Sequence, residues 1–205
     1  MTQGLLIMIS APSGAGKTSL VQSLLAQDAG LTVAVSHTTR ARRSKEIDGL
    51  NYHFVDPNEF ERMVGSDAFL EHAEVFGHRY GTSREAVAGQ LTAGRDVILE
   101  IDYQGAAQVR SRLPATLSIF ILPPSRATLK ARLVARKQDD DDVIEHRFEK
   151  AVQEMSHHTD YDYLVVNDVF ETAVTDLQAI IQAARLGITR QRERLKPLLV
   201  DLLSG

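Results

Sequence analysis

Leu5-Leu6-Ile7-Met8-Ile9-Ser10-Ala11-Pro12-Ser13-Gly14-Ala15-Gly16-Lys17-Thr18 is the stretch on which the fold turns. Its first half is an apolar run of strand length, and the residues after it, with Leu20, Leu24 and Leu25, have helical spacing. Between the two, glycines let successive backbone N–H groups turn inward around a phosphate, at the positive end of a helix dipole. The order strand, glycine-rich turn, helix predicts a phosphate-binding loop for ATP formed by Ser13, Gly14, Ala15, Gly16, Lys17, Thr18 and Ser19. Lys17 would reach the β- and γ-phosphate oxygens and the Thr18 hydroxyl would bind Mg2+. The strict pattern has glycine where this chain has Ala11; that position closes the strand, where an extended conformation suits alanine. A strand-to-helix turn with an incidental lysine is the plain alternative.

Working outward, strand-like runs at 5–11, 31–35, 96–101, 116–122 and 163–166 alternate with helical patterns near 17–27, 104–112, 125–135, 142–158 and 171–187. That rhythm predicts an α/β fold in which a mainly parallel sheet is flanked by helices through right-handed crossovers. Residues 36–94 break it, with short polar strands around Tyr52 to Val55 and Phe69 to Tyr80. Asp56-Pro57 opens one short helix there, and Thr82 with Glu85 has capping-box spacing for another. This reads as a small mixed insertion laid beside the sheet. Asp142 and Glu145 have the same spacing after the hydrophilic 136–142 connection, which suits a lid. The expected division is a core of 1–35, 95–125 and 160–188, an insertion of 36–94, a lid with its flanking helices over 126–159, and a tail of 189–205.

A chain of 205 residues that is 43% hydrophobic can fill one core. Its formal charge of −4 argues against a protein that coats nucleic acid, so any anion site must be local. The absence of cysteine removes disulfide and thiolate-metal chemistry, and the seven histidines show no zinc-ligand spacing. The apolar run at the start is too short to span a bilayer and has no basic leader, so no membrane partner and a cytoplasmic location are expected.

A phosphate loop needs an acidic element on a neighbouring strand to hold the metal. Asp96-Val97-Ile98-Leu99-Glu100-Ile101-Asp102 supplies a strand that ends in carboxylates, and alternation puts Glu100 and Asp102 on one face. Glu100 is the candidate metal ligand beside Thr18. Ordinary solvated acids at a strand end would look the same. Likewise, Arg40, Arg42, Arg43 and Lys45 are on composition alone either an anion site or a solvated basic loop.

Further stretches extend the pattern: Val35-Ser36-His37-Thr38-Thr39-Arg40, Phe69-Leu70-Glu71-His72-Ala73, Tyr80-Gly81-Thr82, Ile101-Asp102 with Gln104-Gly105, and Val166-Asn167-Asp168. Together with the phosphate loop, and in this order, they resemble the guanylate kinase family from the first strand to the last helix. The resemblance implies a core, a GMP-binding domain over 36–94, a lid, and Mg2+-dependent transfer of the γ-phosphate of ATP to GMP and dGMP. It implies that Ser36, Arg40, Arg43, Tyr52 and Tyr80 hold the GMP phosphate, and that Glu71, Thr82 and Asp102 read guanine. Arg132, Arg136 and Arg147 would close over the transferring phosphoryl group with Lys17 and Arg40, and Asn167 would meet the adenine of ATP. A carboxylate suits guanine because it accepts from both N1–H and the 2-amino group, whereas adenine offers an acceptor at N1. The chain departs from the family at Arg42, Lys45, Arg79, Glu100, Ala135 and Lys137. A kinase for another nucleotide or a small alcohol, and a non-catalytic binding module of the same fold, are the competing readings.

Thr189-Arg-Gln-Arg-Glu-Arg-Leu195 followed by Leu198, Leu199 and Leu202 forms an apolar stripe after an otherwise complete domain. Pro197 must sit near a helix start or at a kink. This tail predicts a homo-oligomer.

Overall fold

The computed structural model describes residues 3–135 and 141–204, with nothing said of the side chains of 141 and 142. Arg136, and the Asp142 half of the expected capping box, therefore lie outside what is described. Along the chain run β1 (Leu6–Ser10), α1 (Lys17–Gln27), β2 (Leu31–Val33), β3 (His37–Thr38), β4 (His53–Phe54), α2 (Pro57–Gly65), β5 (Phe69–Val75), β6 (His78–Ser83) and α3 (Arg84–Thr92). They are followed by β7 (Asp96–Glu100), α4 (Tyr103–Arg112), β8 (Leu117–Leu122), α5 (Arg126–Ala135), α6 (Asp141–Met155), a 3-10 turn (Ser156–Asp160), β9 (Tyr163–Val166), α7 (Phe170–Arg185), α8 (Ile188–Arg194) and α9 (Lys196–Leu203).

The main sheet has the order β2-β7-β1-β8-β9, and every pairing in it is parallel. β1 is central and buried on both faces, which is why its sequence is a continuous apolar run. Its side chains alternate between two cores. Ile7 and Ile9 pack with Leu20 and Leu24 of α1 and Leu177 and Ile181 of α7, while Leu6 and Met8 pack with Val87 and Leu91 of α3 and Val109 of α4. Burying each such side chain contributes roughly 1.5–3 kcal/mol, so helices cover both faces of the sheet. Ligands of open α/β sheets lie off the carboxyl ends of the strands, at the point where neighbouring connections diverge. Here that point lies off β1, with β7 and its terminal Glu100 on one side and β8 on the other.

The second sheet, order β4-β3-β6-β5, arises wholly from the 36–94 insertion. β3 pairs parallel with β4 and antiparallel with β6. The two-residue β3 has too little alternation to be read from sequence. As expected, Asp56 caps α2, its Oδ1 accepting from the N–H groups of Asn58 and Glu59, with Pro57 in the first turn. Thr82 does not cap α3. Ser83 does, accepting from the Ala86 N–H, because Thr82 is the penultimate residue of β6 and faces Glu71 on β5 in register. A second correction concerns Asp102. The strand stops at Glu100, and Asp102 is the N-cap of α4, its Oδ1 accepting from the Gly105 N–H at 3.0 Å. Pro197 starts α9, one of the two positions open to it.

Candidate active site

The loop between β1 and α1 forms one end of the site. Gly14 and Gly16 have φ of 93° and 92°, the left-handed region that side chains avoid. Gly16 is also hemmed in, since a Cβ there would lie 2.4 Å from Asn167 Nδ2. Buried Asn167 donates from that nitrogen to the Ala15 carbonyl at 2.7 Å, and so ties the end of β9 to the loop rather than capping α7, whose N-cap is Val169. Thr18 Oγ1 donates to Glu100 Oε2 at 3.1 Å, a contact made possible by the parallel register that sets Glu100 beside Ile9. Lys17 Nζ donates to the Ile101 carbonyl at 3.3 Å. Burial pulls its ammonium below the usual lysine range, against the opposing pull of Glu100, Asp102, Glu154 and Glu71.

Arginines reach the loop from two helices. Arg132 of α5 donates to the Asn167 carbonyl at 3.0 Å and to the Ala15 carbonyl at 3.5 Å. Arg147 of α6 donates to Ser13 Oγ at 3.1 Å. Ser19 is exposed on the first turn of α1. Sequence reasoning missed Glu154, also on α6, whose carboxylate accepts from the Ser13 N–H at 3.3 Å and whose burial pushes it above the ordinary range. Only its helical spacing from Arg147, two turns along one face, could have flagged it.

The other end of the site lies between the sheets. Glu71 and Thr82 are almost fully buried, and the Thr82 hydroxyl bonds Ser36 Oγ at 3.1 Å. Asp102 Oδ2 accepts from Gln104 Nε2 at 3.0 Å. Gly105, in the first turn of α4, lets Glu71 in: a Cβ there would stand 2.5 Å from Glu71 Oε2. Nothing in the sequence pattern announces this approach, which joins residues far apart in the chain. Desolvation pushes the Glu71 carboxyl up to about 7, against the Thr82 hydrogen bond, with Asp102 adding to the rise.

Nearer the solvent, Arg40 lies over the Tyr52 ring at 5.5 Å, and the rings of Tyr52 and Tyr80 meet edge to face at 5.8 Å. Arg40 Nη2 pairs with Glu46 Oε1 at 2.6 Å, and Glu46 Oε2 accepts from the Arg43 N–H at 2.8 Å. Glu46 is a second residue that sequence reasoning missed; its signal was a carboxylate within one loop of the arginine cluster. Its bond holds the Arg40 guanidinium above its ordinary range, against partial burial. The Arg43 residue itself is exposed at the rim. Arg79, where the family resemblance led to an aromatic residue, pairs instead with Glu61.

The site thus has two parts, the loop with Thr18 bonded to Glu100 and a second cluster of hydroxyls, arginine and a buried carboxylate. The family model for guanylate kinase matches residues 3–184. The chain belongs to the guanylate kinase family. It is 57% identical over 200 residues to the guanylate kinase of Alkalilimnicola ehrlichii, covering 98% of each chain. It is 54% identical over 206 residues to that of Escherichia coli strain K12, covering 100% of each. Among solved structures it is similar to guanylate kinase from Anaplasma phagocytophilum, with TM-score 0.79, 32% identity and 96% of each chain covered. Members of the guanylate kinase family are transferases, and the mixed α/β architecture with its parallel five-stranded sheet is that of the family.

Proposed function

We infer that the protein transfers the γ-phosphate of ATP to GMP, and to dGMP, by in-line displacement between two bound nucleotides. The observation that carries this reading is the buried Glu71 carboxylate, bonded to Thr82 and close enough to Asp102 and Lys17 for their charges to act on it. Such a carboxylate accepts from guanine N1–H and the 2-amino group and repels adenine N1, which favours GMP over AMP as the acceptor. Ser36, Arg40, Arg43, Tyr52 and Tyr80 receive its phosphate, an arginine fork completed by hydroxyl donors that add no charge.

On the ATP side the loop from Ser13 to Ser19 turns its N–H groups to the phosphates, and Asn167 borders the adenine. Lys17, leaving the Ile101 carbonyl, reaches the β- and γ-phosphate oxygens. The Thr18 hydroxyl and Glu100 carboxylate, 3.1 Å apart, are hard oxygen donors that fit a cation keeping most of its waters. They would hold Mg2+, which when bound neutralises charge on the phosphate oxygens. Phosphoryl transfer needs alignment and charge screening more than covalent help, so no obligatory general base is assigned. Arg132 and Arg147 supply positive charge at the transferring group; Arg136, outside the described residues, has the same role by the family pattern. Purine nucleotide metabolism in the cytoplasm is the setting this chemistry fits; no described helix is long and apolar enough to cross a membrane.

A coupled assay comparing GMP, dGMP, AMP, UMP and CMP tests the acceptor. Lys17→Ala tests the loop: turnover should fall by orders of magnitude in a folded protein that still binds GMP. Near-normal turnover of that variant overturns the assignment. We also infer self-association through the tail, where Ile188, Val200, Leu202 and Leu203 are exposed on α8 and α9. Light scattering that gives a monomer at micromolar concentration, with and without residues 189–205, would sink that part.

A further inference from the structure

Phe76 sits where a hairpin does not want it. β5 and β6 close on the Val75–His78 pair, so Phe76 and Gly77 are the two central residues of the connection, with φ of 51° and 73°. Two positive φ angles in a two-residue hairpin mark a type I′ turn, which favours asparagine, aspartate or glycine and penalises a bulky side chain. Gly77 fits, and Phe76 does not. Burial offers no compensation either, because Phe76 is 42% exposed. The hairpin is held elsewhere: Gln108 of α4 donates to the His72 carbonyl at 2.6 Å and accepts from the His72 N–H at 3.1 Å.

What the ring does touch is α6. Arg147 Cζ lies 5.5 Å and Lys150 Nζ 4.2 Å from its centroid, the two cations being one turn apart on the same helix face. Arg147 is the residue whose Nη2 reaches Ser13 of the phosphate loop. Phe76, Arg147 and Ser13 thus link the tip of the small sheet, the helix α6 and the ATP end of the site in one row.

We propose that Phe76 is a positioning residue for Arg147, its aromatic face holding α6 against the small sheet so that the guanidinium stays on the phosphate loop. The inference rests on the reading that Arg147 assists phosphoryl transfer. The ring faces cations, so what it supplies is its π-electron face and not its volume. A leucine of comparable apolarity cannot replace it, whereas a tyrosine can. Asparagine, which accepts a positive φ, relieves the turn and at the same time removes the ring.

The test is steady-state kinetics with thermal melting on the full chain for F76N, F76L, F76Y and R147A. F76N and F76L are expected to lower kcat by about ten-fold, with KM for GMP changed less than about two-fold, while F76Y stays within about two-fold of the parent. F76N should keep or raise the melting temperature, so that stability and turnover move apart. The F76L/R147A double variant should lose no more than R147A alone. Equal activity of F76L and F76Y, loss of turnover in F76N matched by loss of stability, or independent losses in the double variant would each overturn the proposal. If R147A retains full activity, the reading of Arg147 fails and the proposal falls with it. If R147A is crippled while every Phe76 variant is normal, only the proposal fails.

Discussion

Thr82 donates to Glu71 across the β5–β6 pair, Oγ1 to Oε1 at 2.5 Å, with both residues almost wholly withdrawn from water. The carboxylate is thereby fixed in direction and left with its other oxygen as an acceptor. Glu71→Gln keeps the size, loses the charge, and turns one acceptor into a donor that faces a donor on guanine. We expect kcat/KM for GMP to fall by an amount equivalent to roughly 2–4 kcal/mol, and AMP to lose much less or gain. Equal losses for the two acceptors, measured on kcat/KM for both, would mean that Glu71 supports the fold and does not read the base.

Acidity supplies an independent check on the same residue. Because burial raises the Glu71 carboxyl to about 7, the ionised form that the proposed guanine contact needs accumulates only as pH rises through that value. The kcat/KM for GMP should therefore climb toward neutrality and level off above it, and Glu71→Gln should erase that limb. Stability runs the other way. A folded pKa above the ordinary 4.5 means that the folded chain holds the extra proton in between. The contribution of Glu71 to stability is thus full below 4.5 and lost as pH rises through about 7. Pairing pH–rate profiles with melting curves over that window measures both.

Gly105 gives a steric test. Alanine is the better helix former by about 1 kcal/mol, so Gly105→Ala would help an isolated α4. In the folded protein the new methyl group meets Glu71 Oε2 at 2.5 Å and Ile101 Cβ at 3.3 Å, and the carboxylate must move. GMP kcat/KM should drop by about 10–100-fold while ATP affinity holds. Unchanged GMP kinetics in Gly105→Ala would show that the carboxylate does not need this position.

Arg185 is a structural counterpart. It bonds Asp28 Oδ2 at 2.6 Å and Asp96 Oδ2 at 2.7 Å, while Asp96 Oδ1 accepts from the Leu5 N–H at 2.6 Å. One guanidinium therefore joins the end of α7 to the C-cap of α1 and the start of β7. Arg185→Ala leaves the largely buried Asp96 with only the Leu5 N–H and the longer Arg190 contact at 3.9 Å, and should cost about 1–3 kcal/mol, the lower part of the buried-pair range because Arg185 and Asp28 are partly exposed. Burial pushes the Asp28 carboxyl up, but the Arg185 bond and the Gly30 N–H outweigh it and hold it below the ordinary range. Stability from that bond is present above the ordinary carboxylate pKa and lost as pH falls through the depressed one. Denaturant titrations should show the gap between parent and variant narrowing in acid.

The sheet and the phosphate loop were legible because their signals are local. A buried central strand reads as a run of apolar residues, and left-handed turns read as glycines, so β1 and the loop stand out in consecutive residues. Lys17 came with the loop, whereas Glu71 and Arg40 were found through ordered stretches that resemble a family. What stayed hidden depends on approach between distant segments. Gly105 matters because Glu71 lies against it, Glu154 because α6 folds back onto Ser13, and Phe76 because α6 passes beneath its ring. Thr82 was misread for the same reason. Its spacing from Glu85 imitates a cap, and only the strand opposite it reveals that the hydroxyl is already engaged.

The Glu46 carboxylate is bonded both to the Arg40 guanidinium and to the Arg43 N–H, and on the proposed reading of these residues this would change how an acceptor nucleotide is admitted. A bare arginine pair would attract any dianion from a distance, and inorganic phosphate would compete for the place. With a resident anion already there, the long-range pull is muted, and an incoming phosphate must trade against a contact the chain already has. That trade is worthwhile for a molecule whose other end finds Glu71 and Thr82 as well. On that reading Glu46 would act as a placeholder that sets an entry threshold, and the site would screen by the whole ligand instead of by its charge.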